Sequence, residues 1–371
     1  MSQRARPPFR ADHVGSLLRP PALLAARAEA EAGRVGPAEL RRAEDAAILE
    51  AVALQEGLGL QGVTDGELRR TWFHIDFLER IEGVETGAGA LAARFHRDDG
   101  DLDFAPPRIA VTGKLAWPGP IFGEDFSFLA AATRRTPKIT LPSPSMAHFR
   151  GGRQAVDRRA YPEIEGFFDD LAAVYAAEIA DLAARGCRYL QLDDTNLAYL
   201  CDPKLREATR AIGEDPDALP HRYAALINAA IAARPPDMTV AVHLCRGNYR
   251  SAWVAEGGYE PVAEALFAEI AVDAFFLEYD SPRAGDFAPL RFLPADKVAV
   301  LGLVSTKRPE LERKDDLKRR IEAAARHAPI ERLCLSPQCG FSSTVHGNEI
   351  SRDDQRRKLA LVVETAAEVW G

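Results

Sequence analysis

The sequence has few cysteines, no long apolar run and no surplus of basic residues, and each shortage argues against a class of protein. Five cysteines in 371 residues are too few for the disulfide framework of a small secreted protein, which favours a reducing cytoplasm. No run of about 18 apolar residues predicts a membrane span, and no apolar segment of a signal peptide follows the basic N-terminus. The formal net charge of −8 argues against nucleic acid as the main partner.

Phosphate-binding glycine motifs are also missing. The chain has neither G-x-G-x-x-G after its first predicted strand nor G-x-x-x-x-G-K-[ST], so a nucleotide-binding fold is not favoured. There is no internal repeat, no low-complexity tract and no linker that would divide the chain. We therefore expect a single domain over residues 1–371.

Eight short apolar runs end abruptly in polar residues or glycine, as buried parallel strands do. They cover residues 9–16, 60–67, 137–145, 188–195, 239–247, 274–281, 298–306 and 332–340. Helical patterns lie between most of them, at residues 37–59, 163–186, 217–234, 313–328 and 354–370. This alternation predicts an α/β protein with a (β/α)8 TIM barrel, and a doubly wound open sheet is the alternative. Residues 82–136 break the alternation and are expected to form an insertion, a loop and a hairpin, between the second and third strands.

The run TVAVHLCRG (239–247) places His243 and Cys245 two residues apart at a predicted strand end. Side chains alternate along a strand, so these two share a face, and at the carboxyl end of a barrel strand that face looks into the site. Both residue types bind zinc. Both are also commonly buried in cores, so the pair alone leaves a metal site and simple burial open.

Two later strands add side chains that would reach the same place in a barrel. Glu278 lies near the end of AFFLEYDS (274–281), and Cys339 ends LCLSPQC (333–339). A buried carboxylate without a partner is costly, and a metal ion would remove that cost. Nitrogen, sulfur and oxygen ligands together suit Zn²⁺, so a zinc site is predicted here. Cys334, two residues inside the last strand, is expected to be core.

Two thiolate ligands leave zinc a weak Lewis acid toward water. Such a site suits a different task, which is binding a substrate thiol and holding it as the nucleophilic thiolate. Glu278 is then expected to be the exchangeable ligand. A zinc hydrolase is a rival that two cysteine ligands disfavour. A barrel that binds a tetrapyrrole or folate without catalysis is a further alternative.

At this point the sequence resembles the C-terminal catalytic barrel of cobalamin-independent methionine synthase, over nearly the whole chain. The resemblance is carried by the blocks DHVGSLLRP, VTDGELRR, LQLDDTNLAYL, HLC, FLEYDS and SPQCG. It implies a zinc-dependent methyltransferase that acts on the thiol of homocysteine to form methionine. The implied zinc ligands are His243, Cys245, Glu278 and Cys339.

The same resemblance implies how homocysteine is held. Val14, Gly15 and Ser16 carry over to the segment that binds its amino-acid end. Glu67 and Asp193 carry over to the two acids that bind its ammonium group. Period two along the strand favours Asp193 rather than Asp194 as the acid that faces the site.

The half of the site that would bind the methyl donor departs from the family. The family's D-I-H-S-P block reads STKRP here, so Lys307 stands where a histidine donates a proton to folate, and Ser305 replaces the aspartate. Tyr199 replaces a second acid, and the tryptophan after the third strand is absent from LPSPSMAHF. The donor therefore stays open between a folate, another compound and a methyl-carrier protein. Related zinc barrels alkylate other thiols, such as coenzyme M with epoxides, and that is the main alternative function.

Several further residues are weaker candidates. Arg246 and Asn248 follow the zinc pair directly and are expected to orient it through neighbouring contacts. A contact with substrate or donor and a purely structural role are both open for a group of aromatic and histidine residues: His13, Trp72, His74, His148 and His346.

Overall fold

The computed structural model describes residues 4–89, 93–97 and 100–371. The strands in these residues are β1 (Gly62–Val63), β2 (Glu82–Gly87), β3 (Ala93–Phe95), β4 (Leu102–Phe104), β5 (Arg108–Ala116), β6 (Thr136–Pro137), β7 (Ile139–Pro142), β8 (Tyr189–Asp194), β9 (Thr239–Leu244), β10 (Ala274–Glu278), β11 (Val298–Val304) and β12 (Leu333–Pro337). The α-helices are α1 (Pro21–Glu31), α2 (Pro37–Gly57), α3 (Ile75–Leu78), α4 (Gly123–Ala132), α5 (Glu165–Ala184), α6 (Asn196–Tyr199), α7 (Pro203–Ala211), α8 (Leu219–Ile231), α9 (Lys314–Ala324) and α10 (Arg352–Trp370).

Six strands form the central sheet, in the order β12-β11-β10-β9-β8-β7. All of its pairings are parallel, and each strand lies beside its neighbour in sequence. The strands are continuous apolar runs because both faces are covered, and every residue of β11 is buried. The predicted α/β class is therefore confirmed.

Both edges of this sheet have further parallel pairings. At one edge Ala11 forms a bridge with Leu335 of β12. At the other, β6 runs into β7 and pairs with β1. The predicted strands at 9–16 and 60–67 are thus much shorter than expected. Gly15, with φ +148°, and Gly66, with φ +67°, turn the backbone out of the extended conformation.

The five predicted helical segments correspond to α2, α5, α8, α9 and α10, with ends that differ by a few residues. Helix α10 begins with a capping box, in which Ser351 and Asp354 satisfy each other's backbone amides. No helix in the described part of the chain is both long and apolar enough to cross a membrane. The cytoplasmic location stays a prediction.

Residues 82–136 contain more regular structure than the expected loop and hairpin. Strand β2 pairs antiparallel with β5, and β3 pairs antiparallel with β4. Helix α4 follows and buries Phe126 and Leu129. Residues 90–92 and 98–99 of this segment lie outside the described residues.

A buried ion pair joins the N-terminal segment to the strand that begins the central sheet. Lys138 Nζ lies 3.2 Å from Asp12 Oδ1, and neither side chain is exposed. The same carboxylate accepts hydrogen bonds from the Tyr189 hydroxyl and from the backbone amides of Phe9 and His13. Every acceptor is used, which is the condition for a buried charge to be tolerated.

Replacing Lys138 with methionine would leave the Asp12 carboxylate buried without its cation. Breaking one side of a buried pair costs about 3–5 kcal/mol, so the urea midpoint of unfolding should fall markedly. The double variant Lys138→Met/Asp12→Asn removes the stranded charge and should recover part of the loss. Equal losses in the single and double variants would contradict this account.

The burial of His148 predicts that the protein loses stability in mild acid. Burial lowers the pKa of His148 to about 4, and the charges of Arg222 and Arg153 add to the effect. The unfolded chain takes up this proton near pH ~6.5. The neutral His148 therefore contributes up to about 3 kcal/mol to the free energy of unfolding above that pH. This contribution is lost as the pH falls toward ~4.

Urea unfolding at several pH values in this window measures the effect. His148→Asn keeps a polar partner for the Tyr223 hydroxyl, which lies 2.9 Å from His148 Nδ1. The variant should lose less stability than the parent protein on acidification. Identical pH dependence in the two proteins would refute the role of this histidine.

Candidate active site

The parallel register of the central sheet brings the predicted metal ligands together. His243 of β9 lies between Asp193 of β8 and Phe276 of β10. Glu278 is the last residue of β10. Cys245 directly follows β9, and Cys339 lies two residues beyond β12. All four side chains are therefore at the carboxyl edge of the sheet, where successive parallel strands end.

The four side chains form one compact cluster. Their ligand atoms, one from each of His243, Cys245, Glu278 and Cys339, all lie within 4.8 Å of one another. All four residues are buried, and the two sulfurs are 3.4 Å apart. This set contains one nitrogen, two sulfurs and one carboxylate oxygen, which is a donor set that Zn²⁺ accepts.

Two atoms of the cluster have no hydrogen-bond partner among the described residues. They are Nε2 of His243 and Oε2 of Glu278. The other imidazole nitrogen is 3.4 Å from the Phe276 carbonyl oxygen, and Glu278 Oε1 accepts the Arg246 backbone amide at 2.9 Å. Each side chain is thus held through one atom while its other polar atom faces the cluster. Since an unpaired buried polar atom is costly, the residues fit a metal ion at their centre.

The two cysteine thiols lie within hydrogen-bond distance of each other. The hydrogen bond between Cys245 and Cys339 raises the pKa of Cys245 and lowers that of Cys339 well below its ordinary value. Burial raises the pKa of Glu278, and the charge of Cys339 adds to the shift. Concentrated negative charge is therefore unfavourable in this pocket until a cation compensates it.

The loop after Cys245 is tied to the segment after Cys339. Asn248 Nδ2 donates to the Gly340 carbonyl oxygen at 2.8 Å. Lys307 donates through Nζ to Asn248 Oδ1 at 3.0 Å and to the carbonyl oxygens of Gly247 and Ala252 at 3.1 and 3.4 Å. These bonds hold the two cysteines at a fixed separation.

Glu67 and Asp193 form a second group of buried polar side chains. Glu67 has φ +56°, uncommon for a residue other than glycine, and its Oε1 accepts from Thr140 Oγ1 at 2.9 Å. Its Oε2 has no hydrogen-bond partner among the described residues. Burial raises the pKa of Asp193 to about 7, and the charge of Glu67 adds to that shift. Both acids would be stabilised by a cation placed near them.

The segment Val14–Gly15–Ser16 lies beside these acids and beside Cys339. A side chain at Gly15 would come within 3.2 Å of Glu67 Oε1. The Ser16 hydroxyl accepts the Ser342 backbone amide at 3.3 Å and lies against Gly340, which follows Cys339. The predicted amino-acid pocket and the predicted metal centre are therefore neighbours.

Two residues that sequence reasoning missed support this pocket. Gln191 Nε2 donates at 2.7 Å both to the Val14 carbonyl oxygen and to Asp193 Oδ1. The buried Arg19 guanidinium donates to Ser342 Oγ and to backbone carbonyls of Glu67, Arg70, Ser342 and Thr344, at 2.5 to 3.1 Å. The period of β8 places Gln191 on the face of Asp193 and was a usable signal. Nothing in the sequence distinguishes Arg19 from an exposed arginine.

Asp194 points away from Asp193. It accepts hydrogen bonds from Ser145 Oγ at 2.5 Å and from the Leu197 amide at 2.8 Å. Asp194 is therefore held by structural hydrogen bonds, and the role of Asp193 in the site stays a prediction.

The weaker candidates take several positions around the cluster. The His13 carbonyl oxygen accepts a hydrogen bond from Lys138 Nζ at 2.6 Å, and burial lowers the pKa of the His13 imidazole to about 4. The Arg246 side chain stacks over Tyr259 at 4.4 Å and contacts the cluster only through its backbone amide. His346 and Trp72 have ring centroids 6.1 Å apart, near the mouth of the site.

Comparison with known proteins gives a consistent result. The catalytic-domain model of the cobalamin-independent synthases matches residues 156–368. The uncharacterized protein YxjH of Bacillus subtilis is 45% identical over 371 residues, which cover 99% of this chain and 96% of that protein. A methionine synthase of Pyrococcus abyssi is 24% identical over 330 residues, which cover 88% of this chain and 85% of its own.

A solved structure also matches. It is a Listeria monocytogenes protein provisionally named a vitamin-B12-independent methionine synthase, 36% identical, with a TM-score of 0.79. The match covers 99% of this chain and 100% of that one. The resemblance predicted from the sequence is confirmed, because the family model spans more than half of the chain and includes the whole cluster of histidine, cysteines and glutamate. The chain belongs to the family of the cobalamin-independent synthase catalytic domain and is a methyltransferase.

Proposed function

We propose that this protein is a zinc-dependent methyltransferase that transfers a methyl group to the thiol of homocysteine and forms methionine. The observation that carries the proposal is the buried cluster of His243, Cys245, Glu278 and Cys339, with its ligand atoms within 4.8 Å of one another. Its two thiols favour activation of a substrate sulfur over activation of water.

The proposed architecture is a single (β/α)8 barrel with residues 82–136 inserted between the second and third strands. Support comes from the two edges of the central sheet, where Ala11 bridges Leu335 and β1 pairs with β6. The Lys138–Asp12 pair and the Tyr189 hydroxyl bonded to it fit the interior of such a closed sheet. The site would then lie at the carboxyl end of the barrel.

Zinc would be held by His243 Nε2, the two sulfurs and Glu278 Oε2. The two atoms support this assignment because they would otherwise be buried without a hydrogen bond to any described residue. When bound, the ion would supply a positive charge that keeps the substrate thiol deprotonated at neutral pH. Glu278 is the proposed exchangeable ligand, since Arg283 Nη2 lies 3.8 Å from its Oε2 and offers the displaced carboxylate a partner.

Homocysteine is proposed to lie between the cluster and the acids Glu67 and Asp193. These two carboxylates would bind its ammonium group, which favours their ionised forms despite burial. The backbone of Val14 and Gly15 and the Ser16 hydroxyl would bind its carboxylate. Gln191 fixes the orientation of Asp193, and Arg19 fixes the backbone of Glu67.

The chemical step is a displacement at the methyl carbon. The thiolate sulfur forms a bond to that carbon as the bond between the methyl group and the donor breaks, and the electron pair leaves with the donor. Holding sulfur and methyl in line would supply much of the rate. The residues around the pocket therefore act mainly by positioning and by charge.

The metal assignment is tested by metal analysis of the purified protein. We expect about one zinc per chain, lost in Cys245→Ala and in Cys339→Ala because each variant removes a thiolate ligand. Cys334→Ala is the matched control, since Cys334 is also a buried free cysteine but lies outside the cluster. Full zinc retention in both cluster variants would overturn the site.

The acceptor assignment is tested by titration calorimetry on the zinc-loaded protein. Glu67→Gln and Asp193→Asn should each weaken homocysteine binding about 10- to 100-fold, because a charge-assisted hydrogen bond is lost. The matched ligand is 4-sulfanylbutanoate, which is homocysteine without its amino group, and its affinity should change little. If both ligands respond alike, another thiol is the acceptor.

A further inference from the structure

Cys245 lines a small cavity that includes neither Glu67 nor Asp193 among its lining residues. Its volume is about 40 Å³. One water molecule needs roughly 10–15 Å³ of such space, so the cavity has room for about three groups of that size. Six aromatic side chains line it: Trp72, Phe73, Phe95, Phe104, Tyr199 and Tyr249. The mechanism proposed above does not use this cavity.

The rings are gathered around Tyr249. Its ring stacks on that of Phe104, at a centroid distance of 4.2 Å with planes 19° apart, and is nearly parallel to that of Trp72, at 6.4 Å and 8°. Phe95 is tilted against it at 5.5 Å. The faces of aromatic rings carry partial negative charge and attract cations within about 6 Å, quaternary ammonium and sulfonium groups included. A ring face that this stack turns toward the cavity would therefore attract a methylated cation next to the proposed position of the thiol.

Four titratable groups near this aromatic box, His346, Lys307, His74 and Tyr199, are poor proton donors. Burial lowers the pKa of His346, whose ring centroid lies 5.3 Å from that of Tyr249. Lys307 directs its ammonium group to three acceptors of the loop after Cys245, so it has no proton directed into the cavity. Burial holds the pKa of His74 well below its ordinary value, with the charge of Arg150 adding to the effect, so its imidazole is neutral. Burial raises the pKa of the Tyr199 hydroxyl. These residues therefore offer little help to a methyl donor whose leaving group must accept a proton.

Arg150 supplies a complementary charge at the edge of the cavity. It lines both this cavity and an adjoining one of about 670 Å³. Its exposed side chain has no hydrogen bond or ion pair with the described residues. A carboxylate on the donor would find its partner here.

We propose that the methyl donor is a zwitterionic onium compound, a sulfonium or quaternary ammonium carboxylate. Its methylated cation occupies the aromatic box beside Cys245, and its carboxylate binds Arg150. This inference rests on the proposed function, in which the thiolate of homocysteine is the nucleophile.

The step balances without an acid. The homocysteine sulfur forms the new bond to the methyl carbon, and the bond from that carbon to the positive sulfur or nitrogen breaks. The electron pair stays on that atom, which becomes a neutral thioether or tertiary amine. The proton lost when the thiol ionises goes to solvent.

Binding is tested with pairs of ligands of matched shape on the zinc-loaded protein, by calorimetry. Trimethylammonioacetate is compared with 3,3-dimethylbutanoate, and dimethylsulfonioacetate with 3-methylbutanoate. In at least one pair the onium compound should bind about 10-fold more tightly than its carbon analogue, because only the cation gains from the rings. The two pairs separate the ammonium from the sulfonium source. Equal binding within both pairs would overturn the proposal.

Variants of the residues that line the cavity test where the onium compound binds. Phe104→Leu and Tyr249→Leu should each weaken onium binding about 3- to 10-fold, while Tyr249→Phe, which keeps the ring, should restore it. Phe292→Leu is the matched control, because Phe292 is an exposed ring that does not line the cavity. Arg150→Met should weaken zwitterionic donors but not the trimethylsulfonium ion, which has no carboxylate. Unchanged affinities in the Phe104, Tyr249 and Arg150 variants would count against the site.

Transfer is followed separately with donors that carry trideuterated methyl groups. Methionine heavier by three deuterium atoms should form from homocysteine and an onium donor, and less or none from methyltetrahydrofolate or methylcobalamin. Transfer from the folate or cobalamin alone would overturn this inference and leave the proposed function intact. If no donor methylates homocysteine, the proposed function fails, and the binding pairs still decide the onium site.

Discussion

The parallel pairing of β9 with its neighbours is the constraint on which the rest of the site depends. Its register sets His243 between Asp193 and Phe276, so the histidine lies between the proposed metal centre and the proposed amino-acid pocket. A shift of one residue would turn every side chain of the strand to its opposite face. The sheet therefore sets the distances between these side chains, and the helices and loops pack around it.

The burial of charged side chains is the second constraint. Some buried carboxylates have all of their hydrogen bonds satisfied, and others do not. Asp12 and Lys138 neutralise each other and satisfy their hydrogen bonds, so they are structural. Glu278 and Glu67 each keep one oxygen without a hydrogen-bond partner among the described residues. The nearest cations to these oxygens are distant partners, Arg283 at 3.8 Å from Glu278 and Arg70 at 3.9 Å from Glu67. Since such an atom is expensive to bury, both carboxylates are better candidates for ligand binding than Asp12.

The two sides of the cluster differ in chemistry. The side toward Ser16 is polar and acidic and suits the amino-acid end of a thiol substrate. The side toward Tyr249 is aromatic, and Lys307 nearby is used to hold the loop after Cys245. We therefore propose a positioning role for this lysine. In the proposed function, Lys307 in place of the family's histidine would affect the methyl donor and not the thiol acceptor.

The sequence by itself determined the alternation of strands and helices, the strand ends that carry His243 and Glu278, and the shared face of Gln191 and Asp193. These features follow from the side-chain periods of strands and helices, two and 3.6 residues, which can be recognised from residues close together in the sequence. Only the tertiary structure decided that the sulfurs of Cys339 and Cys245 lie 3.4 Å apart and that Arg19 supports Glu67. It also decided where the aromatic side chains of β3 and β4 lie. Such contacts join segments far apart in the chain, and their geometry depends on how whole elements pack, which no local pattern encodes.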